Sequence, residues 1–288
     1  MPDKPEFPED IQRNTAISPY IHYPDKTRYV LPYVPEMISL PHPQQYPMLK
    51  FPEDIYFLIA DDYIVDKNNR IYFHDRASKE DVYLSEIDTT NHNQLSKTEM
   101  IYTDLSKKAN HLKTKDGIRD TVVYANRIYL DFITKDNTVA FSTAKRDIVF
   151  SLNRHGNGLM DNIYEITSTF RHEFIHIRDN HPIKYEREQI PNLEHAEVYL
   201  EQMSYEEFRN STKEYQANRI ARFASYIISG HHTNAFDINK INNHFEKFNT
   251  GFGKEINASV NFDLINKKII VYVQEKLFEY DYLKFKDK

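Results

Sequence analysis

An α+β fold is what this sequence predicts, and two observations predict it. Short apolar segments separated by turn residues, most of them before residue 153, read as β-strands. Breaker-free stretches with apolar residues three and four apart, at 159–181, 192–203 and 213–230, read as helices. Strands gathered ahead of helices make a small, mainly antiparallel sheet followed by a helical part.

Residues 1–52 hold eleven of the 13 prolines, while glycine is scarce at six throughout. Such proline density disfavours helix and favours extended, polyproline-like chain. Tyr20, Ile21, Tyr23, Tyr29, Val30, Leu31, Tyr33 and Val34 crowd the same stretch, too many apolar groups for a purely solvated linker. It reads as an arm lying over the folded body or a docking or delivery segment, with a flexible leader as the alternative. Residues 53–288 then form the main domain: β-rich over 53–152, helical over 159–230, and a C-terminal part over 231–288.

Within that domain, Tyr63-Ile64-Val65 and Ile71-Tyr72-Phe73 flank Lys67-Asn68-Asn69-Arg70, which reads as a hairpin with an asparagine turn. Residues 85–118 are polar and irregular and carry no assignable chemistry. Arg127–Phe132 and Thr138–Phe141, around a turn at Lys135-Asp136-Asn137, read as a second hairpin, and Asp147–Leu152 as a further strand. A glycine-containing loop, Arg154 to Gly158, comes next. Lys268–Val273 is strand-like, with helix the alternative. There is no internal repeat and no phosphate-cradling glycine loop.

The chemistry is concentrated in His172-Glu173-Phe174-Ile175-His176. Histidines four apart on a helix share one face and reach one metal ion, and the glutamate beside the first takes a proton from a water the metal activates. With 13 His and 43 acidic residues, chance supplies such a pattern at most about once in ten chains of this composition. The setting is helical: Ile163, Ile166, Phe170, Phe174 and Ile177 form one apolar stripe. His172 and His176 lie roughly 150° and 110° from its middle. One face is expected to be buried, with the far side presenting both imidazoles beside Glu165 and Asp179. An ordinary amphipathic surface helix is the plain alternative.

A catalytic zinc takes three protein ligands and keeps one open position. The long histidine-rich pattern, with glycine three and histidine six residues after the pair, fails because Asp179 and Pro182 stand there. His181, just before a proline expected to end the helix, reads as a surface residue or a support behind the ligands. The preferred third ligand is Glu214, on a helix running from Lys213 towards Gly230. There Glu214, Asn218, Ala221 and Ser225 form a strip of mostly small residues suited to close helix approach. Asn218 is placed to orient the carboxylate. Glu194, His195, Glu197 and Glu201, on the intervening helix, are the rivals, each with a solvated face as its ordinary fate.

His172-Glu173-x-x-His176 followed by Glu214-x-x-Ala217-Asn218-x-x-Ala221 resembles the gluzincin group of zinc metallopeptidases. The second part is similar to ImmA/IrrE-type bacterial peptidases. The resemblance covers roughly 50 residues. It implies a zincin-like fold, His172, His176 and Glu214 as ligands of Zn2+, and Glu173 as general base. The chain departs from those relatives in carrying Ile175 where they have glycine, and it shows no helix-turn-helix segment. The strand, glycine loop and motif helix in succession also look like the metallopeptidase toxin domains of bacterial polymorphic or injected toxins.

The expected activity is zinc-dependent endopeptidase hydrolysis, with Glu173 relaying the proton to the leaving amine. A donor for the tetrahedral oxyanion is also needed, and His231, His232, Tyr215 and Tyr226 are the candidates. A regulatory or housekeeping peptidase, and a non-enzymatic metal-binding or interaction module, are the alternatives. A net charge of −6 argues against general nucleic-acid binding. No apolar run approaches the roughly 18 residues of a membrane span, and the N-terminus is not a signal peptide. These features fit a cytoplasmic enzyme or export by a non-Sec route. The absence of cysteine excludes disulfides, thiolate zinc sites and thiol catalysis. The expected partners are a protein or peptide substrate and a delivery or immunity partner engaging the proline-rich arm.

Overall fold

The computed structural model describes residues 63–114, 117–132, 139–152, 160–185, 190–232 and 236–286, together with the backbone of Tyr20–His22 and Arg28–Val30. The chain divides into two units, Met1–Asp62 and Tyr63–Lys288. In the first, strands β1 (Tyr20–His22) and β2 (Arg28–Val30) pair antiparallel, Tyr20 opposite Val30. The rest of the expected arm at 1–52 lies outside the described residues.

The second unit is α+β. Strands β3 (Ile64–Val65), β4 (Ile71–Asp75) and β5 (Glu80–Tyr83) form an antiparallel meander, with Ile64 opposite Tyr72 as the first hairpin requires. Asn69 takes φ 63° in its turn, a conformation asparagine tolerates better than most residues. This hairpin also anchors the start of the motif helix, because Arg70 Nε donates to Asp161 at 2.8 Å and Ile163 N donates to Asn69 O at 2.9 Å.

Residues 92–109, irregular by their sequence, form helix α1 (His92–Ala109). Asn91 caps it, accepting from Asn93 N at 3.0 Å. Its buried positions, Gln94, Thr98, Ile101, Tyr102, Leu105, Ser106 and Ala109, keep helical spacing, but polar and small residues occupy four of the seven, which dilutes the apolar signal.

A pair of short strands comes next, β6 (His111–Lys113) and β7 (Asp120–Val122). The second expected hairpin is not formed. β8 (Arg127–Asp131) pairs in parallel with β10 (Asp147–Ser151), and β9 (Ala140–Ser142) pairs antiparallel with the other edge of β10, giving the order β8-β10-β9. β10 takes the centre because Ile148, Val149 and Phe150 are apolar and buried on both faces, whereas β8 and β9 are only part-buried. The expected turn at 135–137 and the glycine loop at 154–158 lie outside the described residues.

The helical part contains α2 (Ile163–Arg178), the short α3 (His181–Lys184), α4 (Asn192–Ser204), the short α5 (Glu206–Arg209) and α6 (Lys213–Gly230). Asn162 caps α2, accepting from Tyr164 N at 3.0 Å. At its other end, Asn180 adopts φ 57° and turns the chain back, so that Pro182 falls in the first turn of α3 rather than ending α2. Helix α2 is central: every residue from Ile166 to Ile177 is buried, against the sequence expectation of one open face. Its apolar side joins Phe170 and Phe174 to Phe150 of β10 and Tyr102 of α1. Phe150 and Phe170 stand 4.8 Å apart between ring centroids, and Tyr102 and Phe150 4.7 Å. Truncating Phe170 in such a core costs about 3–5 kcal/mol.

Arg171 locks α1 to α2. Its guanidinium donates to the carbonyls of Ala109 (3.0 Å) and Lys108 (3.3 Å) and to that of His111, and pairs with Glu207 at 2.8 Å. A cation at the last carbonyls of α1 also answers that helix's negative end. Helix α7 (Ile238–Thr250), the short α8 (Phe252–Glu255), the meander β11 (Ala258–Asp263), β12 (Lys268–Val273), β13 (Lys276–Asp281) and the terminal α9 (Tyr282–Lys286) complete the unit. Val260, Phe262, Ile269, Val271 and Val273 face inward, and α6 packs over β12. Among the described residues no helix is long and apolar enough to cross a membrane.

Candidate metal centre

Three helices meet at the motif. α4 runs antiparallel to α2, so that Gln202 sits by Ser168 while His195, seven residues earlier, sits by His172 and His176. α6 runs antiparallel to α4: Tyr215 reaches Gln202, Tyr226 stacks on His195, and Gly230 lies against Leu193. A β-carbon at Gly230 would stand 2.7 Å from the Leu193 side chain, so a larger residue here would have to displace that leucine.

The three histidines converge. His172 Nε2 is 3.0 Å from His176 Nε2 and 3.3 Å from His195 Nε2. Among the described residues His172, His176 and His195 make a group able to hold a metal ion, their ligand atoms all within 4.8 Å of one another. Nitrogens held tetrahedrally 2.0–2.1 Å from zinc would stand about 3.3 Å apart, so the spacing fits a small ion with imidazole ligands.

The protonation of His172 can be read from its neighbours. Gln202 Nε2 donates to the Ser168 carbonyl at 2.9 Å, and a carbonyl oxygen only accepts. The Gln202 oxygen is therefore the atom facing His172 Nδ1 at 3.1 Å, and it too only accepts. His172 thus carries its proton on Nδ1 and turns the Nε2 lone pair into the cluster. Burial, then the nearby His195 and Arg219 charges, hold its imidazole well below the ordinary histidine range, which keeps it in the neutral, ligating form.

Around this core Tyr199 lies 4.4 Å from the His172 ring and Tyr226 stacks 4.2 Å from the His195 ring. Arg219 is buried, donates to the Tyr215 and Tyr199 hydroxyls, and lies over the Tyr215 ring at 4.5 Å. Burial alone would lower its proton affinity, but the two hydroxyls raise it, so it stays a cation. Glu173 is buried on α2 beside His172.

The structure brings His172 and His176 together with His195, a rival in the sequence reading, while Glu173 follows His172 on the same helix and is buried. Glu214 is elsewhere. It lies in the first turn of α6, exposed and ion-paired with Lys276, and the hydrogen bond from that lysine is the main reason its carboxyl sits below the usual range. The α6 residue opposite His195 is Tyr226, about 18 Å along the helix axis from Glu214. Asn218 makes no hydrogen bond to that carboxylate. Glu201 is bound by Arg178 at 2.6 and 2.8 Å, Glu197 is exposed, and Glu165 accepts from Thr212.

The donor candidates separate as well. The Tyr215 hydroxyl is buried between Thr169 (3.0 Å) and Gln202 (3.1 Å), behind His172, so it braces the ligands rather than facing a substrate. His231 packs against His244 of α7, and among the described residues its buried Nε2 has no hydrogen-bond partner. His232 stacks on Phe236. Of the four, Tyr226 stacks on a member of the histidine group.

Among known protein families, the one described as metallopeptidase toxin 2 matches residues 56–259, more than two thirds of the chain and all of the site. No curated protein and no solved structure matches the chain.

Proposed function

The chain belongs to the metallopeptidase toxin 2 family, and on that premise we propose that it is a zinc-dependent endopeptidase with a zincin-like site. The observation that supports this best is the convergence of three imidazole nitrogens at 3.0 and 3.3 Å, on a helix where a buried glutamate directly follows His172. His172, His176 and His195 would hold the ion, with His195 taking the place that sequence spacing assigns to Glu214. When bound, zinc supplies Lewis-acid activation of water and polarisation of the scissile carbonyl.

The remaining work falls to the chain. Glu173, next to His172 on the motif helix, accepts the proton of the attacking water and delivers it to the leaving amine. Its burial keeps the proton from bulk solvent during transfer. Tyr226, held by its stack on His195, is the side chain best placed to donate to the tetrahedral oxyanion. Gln202 and Tyr215 hold His172 in its ligating tautomer. Membership of a toxin family favours a protein of another cell as substrate over a housekeeping target.

Cleavage of a peptide library by wild type and Glu173→Gln, with metal content measured on both, tests the reading. Retained zinc with activity down about 10²–10⁴-fold supports it. Full activity in the glutamine variant would end the general-base assignment.

A further inference from the structure

We propose that His181 is the positioning residue of His176, and that His176, His181 and Glu194 form a directional relay, a hydrogen bond from His176 to His181 and a charge contact from His181 to Glu194, fixing the metal-binding tautomer. The proposal rests on the reading of His172, His176 and His195 as ligands, and it concerns a residue outside the motif.

Three observations carry it. His181 is almost completely buried, with 2% of its surface exposed, directly beneath the last turn of α2. Its Nδ1 stands 2.9 Å from His176 Nδ1, and the rings meet edge-on at 5.2 Å. Its other nitrogen, Nε2, faces Glu194 Oε2 at 3.6 Å. Glu194 is itself held by the Tyr185 hydroxyl at 3.0 Å, and it directly precedes His195 on α4.

The direction of the relay comes from valence. Two imidazole nitrogens in hydrogen-bond contact need one proton between them. His176 turns Nε2 towards the other two histidines, so ligation through Nε2 requires its proton on Nδ1. That proton is donated to His181 Nδ1, which must then be a lone pair, placing the His181 proton on Nε2. There it lies 3.6 Å from the Glu194 carboxylate, beyond a direct hydrogen bond but close enough for the negative charge to favour a proton on that nitrogen. The relay therefore does for His176 what Gln202 does for His172. It also ties a ligand on α2 to the residue beside the ligand on α4, through the bend that Asn180 makes in the left-handed region.

A packing role alone makes a different prediction, because phenylalanine fills the same volume without accepting a hydrogen bond. Zinc affinity of the full-length protein, measured by competition with a chromophoric chelator, separates the two. His181→Phe is expected to bind zinc about 10–100-fold more weakly than wild type. His181→Asn, whose amide oxygen can accept from His176 Nδ1, is expected to recover most of that loss. Wild-type affinity in His181→Phe, or equal weakening in both variants, would overturn the relay. His172→Ala separates this from failure of the site itself: if that variant keeps zinc, the ligand set falls, and if it loses zinc while His181→Phe does not, only the relay falls. Should His181→Phe not fold, nitrogen-15 spectra of the zinc-loaded wild type decide. His181 protonated on Nε2 supports the relay, and His181 protonated on Nδ1 overturns it.

Discussion

Among the described residues two groups of packed histidines are built differently. At the α2–α4 crossing His172, His176 and His195 turn nitrogens towards one point, and the outward nitrogens of His172 and His176 are each held, by Gln202 and His181. At the α6–α7 joint His231 and His244 lie tilted with centroids 5.2 Å apart, yet among the described residues His231 Nε2 is buried with no partner and no third ligand joins them. Proximity of imidazoles is common to both. What distinguishes the first is convergence together with tethering, which fixes tautomer and ring angle before an ion arrives.

That contrast can be broken most forcefully at the first group. His172→Ala is expected to abolish stoichiometric zinc and peptide cleavage together, measured by metal analysis and a peptide-library assay. The equivalent change at the joint, His231→Ala, is expected to leave zinc content as in wild type. A drop in zinc there would erase the distinction.

Next in size is His195→Ala against Glu214→Ala. The first is expected to weaken zinc by more than the roughly 100-fold upper range for losing an orienting partner. The second removes only an exposed ion pair with Lys276 and is expected to change stability by less than about 1 kcal/mol, with zinc unaffected. Chelator competition and thermal unfolding read both.

The smallest expected effect is one of pH at the joint. His244 has its imidazole lowered from the ordinary 6.5, first by burial and then by His231 and Lys247. A lowered folded value means the unfolded chain binds the proton more readily. Stability from this group is thus present above about pH 6.5 and lost as pH falls through the lower folded value. Thermal unfolding of metal-free protein between pH 5 and 7 is expected to fall less steeply in His244→Gln than in wild type. An unchanged slope would show that the joint does not sense protons.

Much of the fold and site is legible in the sequence, and the gaps have physical causes. The motif helix and the helices carrying His195 and Tyr226 can be read because their apolar residues repeat at helical spacing and breakers flank them. Helix α1 escapes such a reading because Gln94, Thr98 and Ser106 occupy buried positions, satisfied by bonds such as Gln94 to Asp75 at 2.7 Å. β8 and β9 read as a hairpin because consecutive strands usually pair. Only the greater apolar burial of β10 inserts it between them. The sequence favours Glu214 over His195 because periodicity gives the face of a helix but not the height at which a neighbour crosses it. The antiparallel set of α4 and α6 brings Tyr226, not Glu214, level with His195. His181 carries a weaker signal, a histidine five residues past the motif, and only the turn at Asn180 shows where it goes.

The central claim is the identity of the three ligands. X-ray absorption of the zinc-loaded protein tests it most directly. Three imidazole nitrogens at about 2.0–2.1 Å, falling to two in His195→Ala and staying three in Glu214→Ala, are the expected result. Two imidazoles and a carboxylate oxygen that disappears in Glu214→Ala would contradict it.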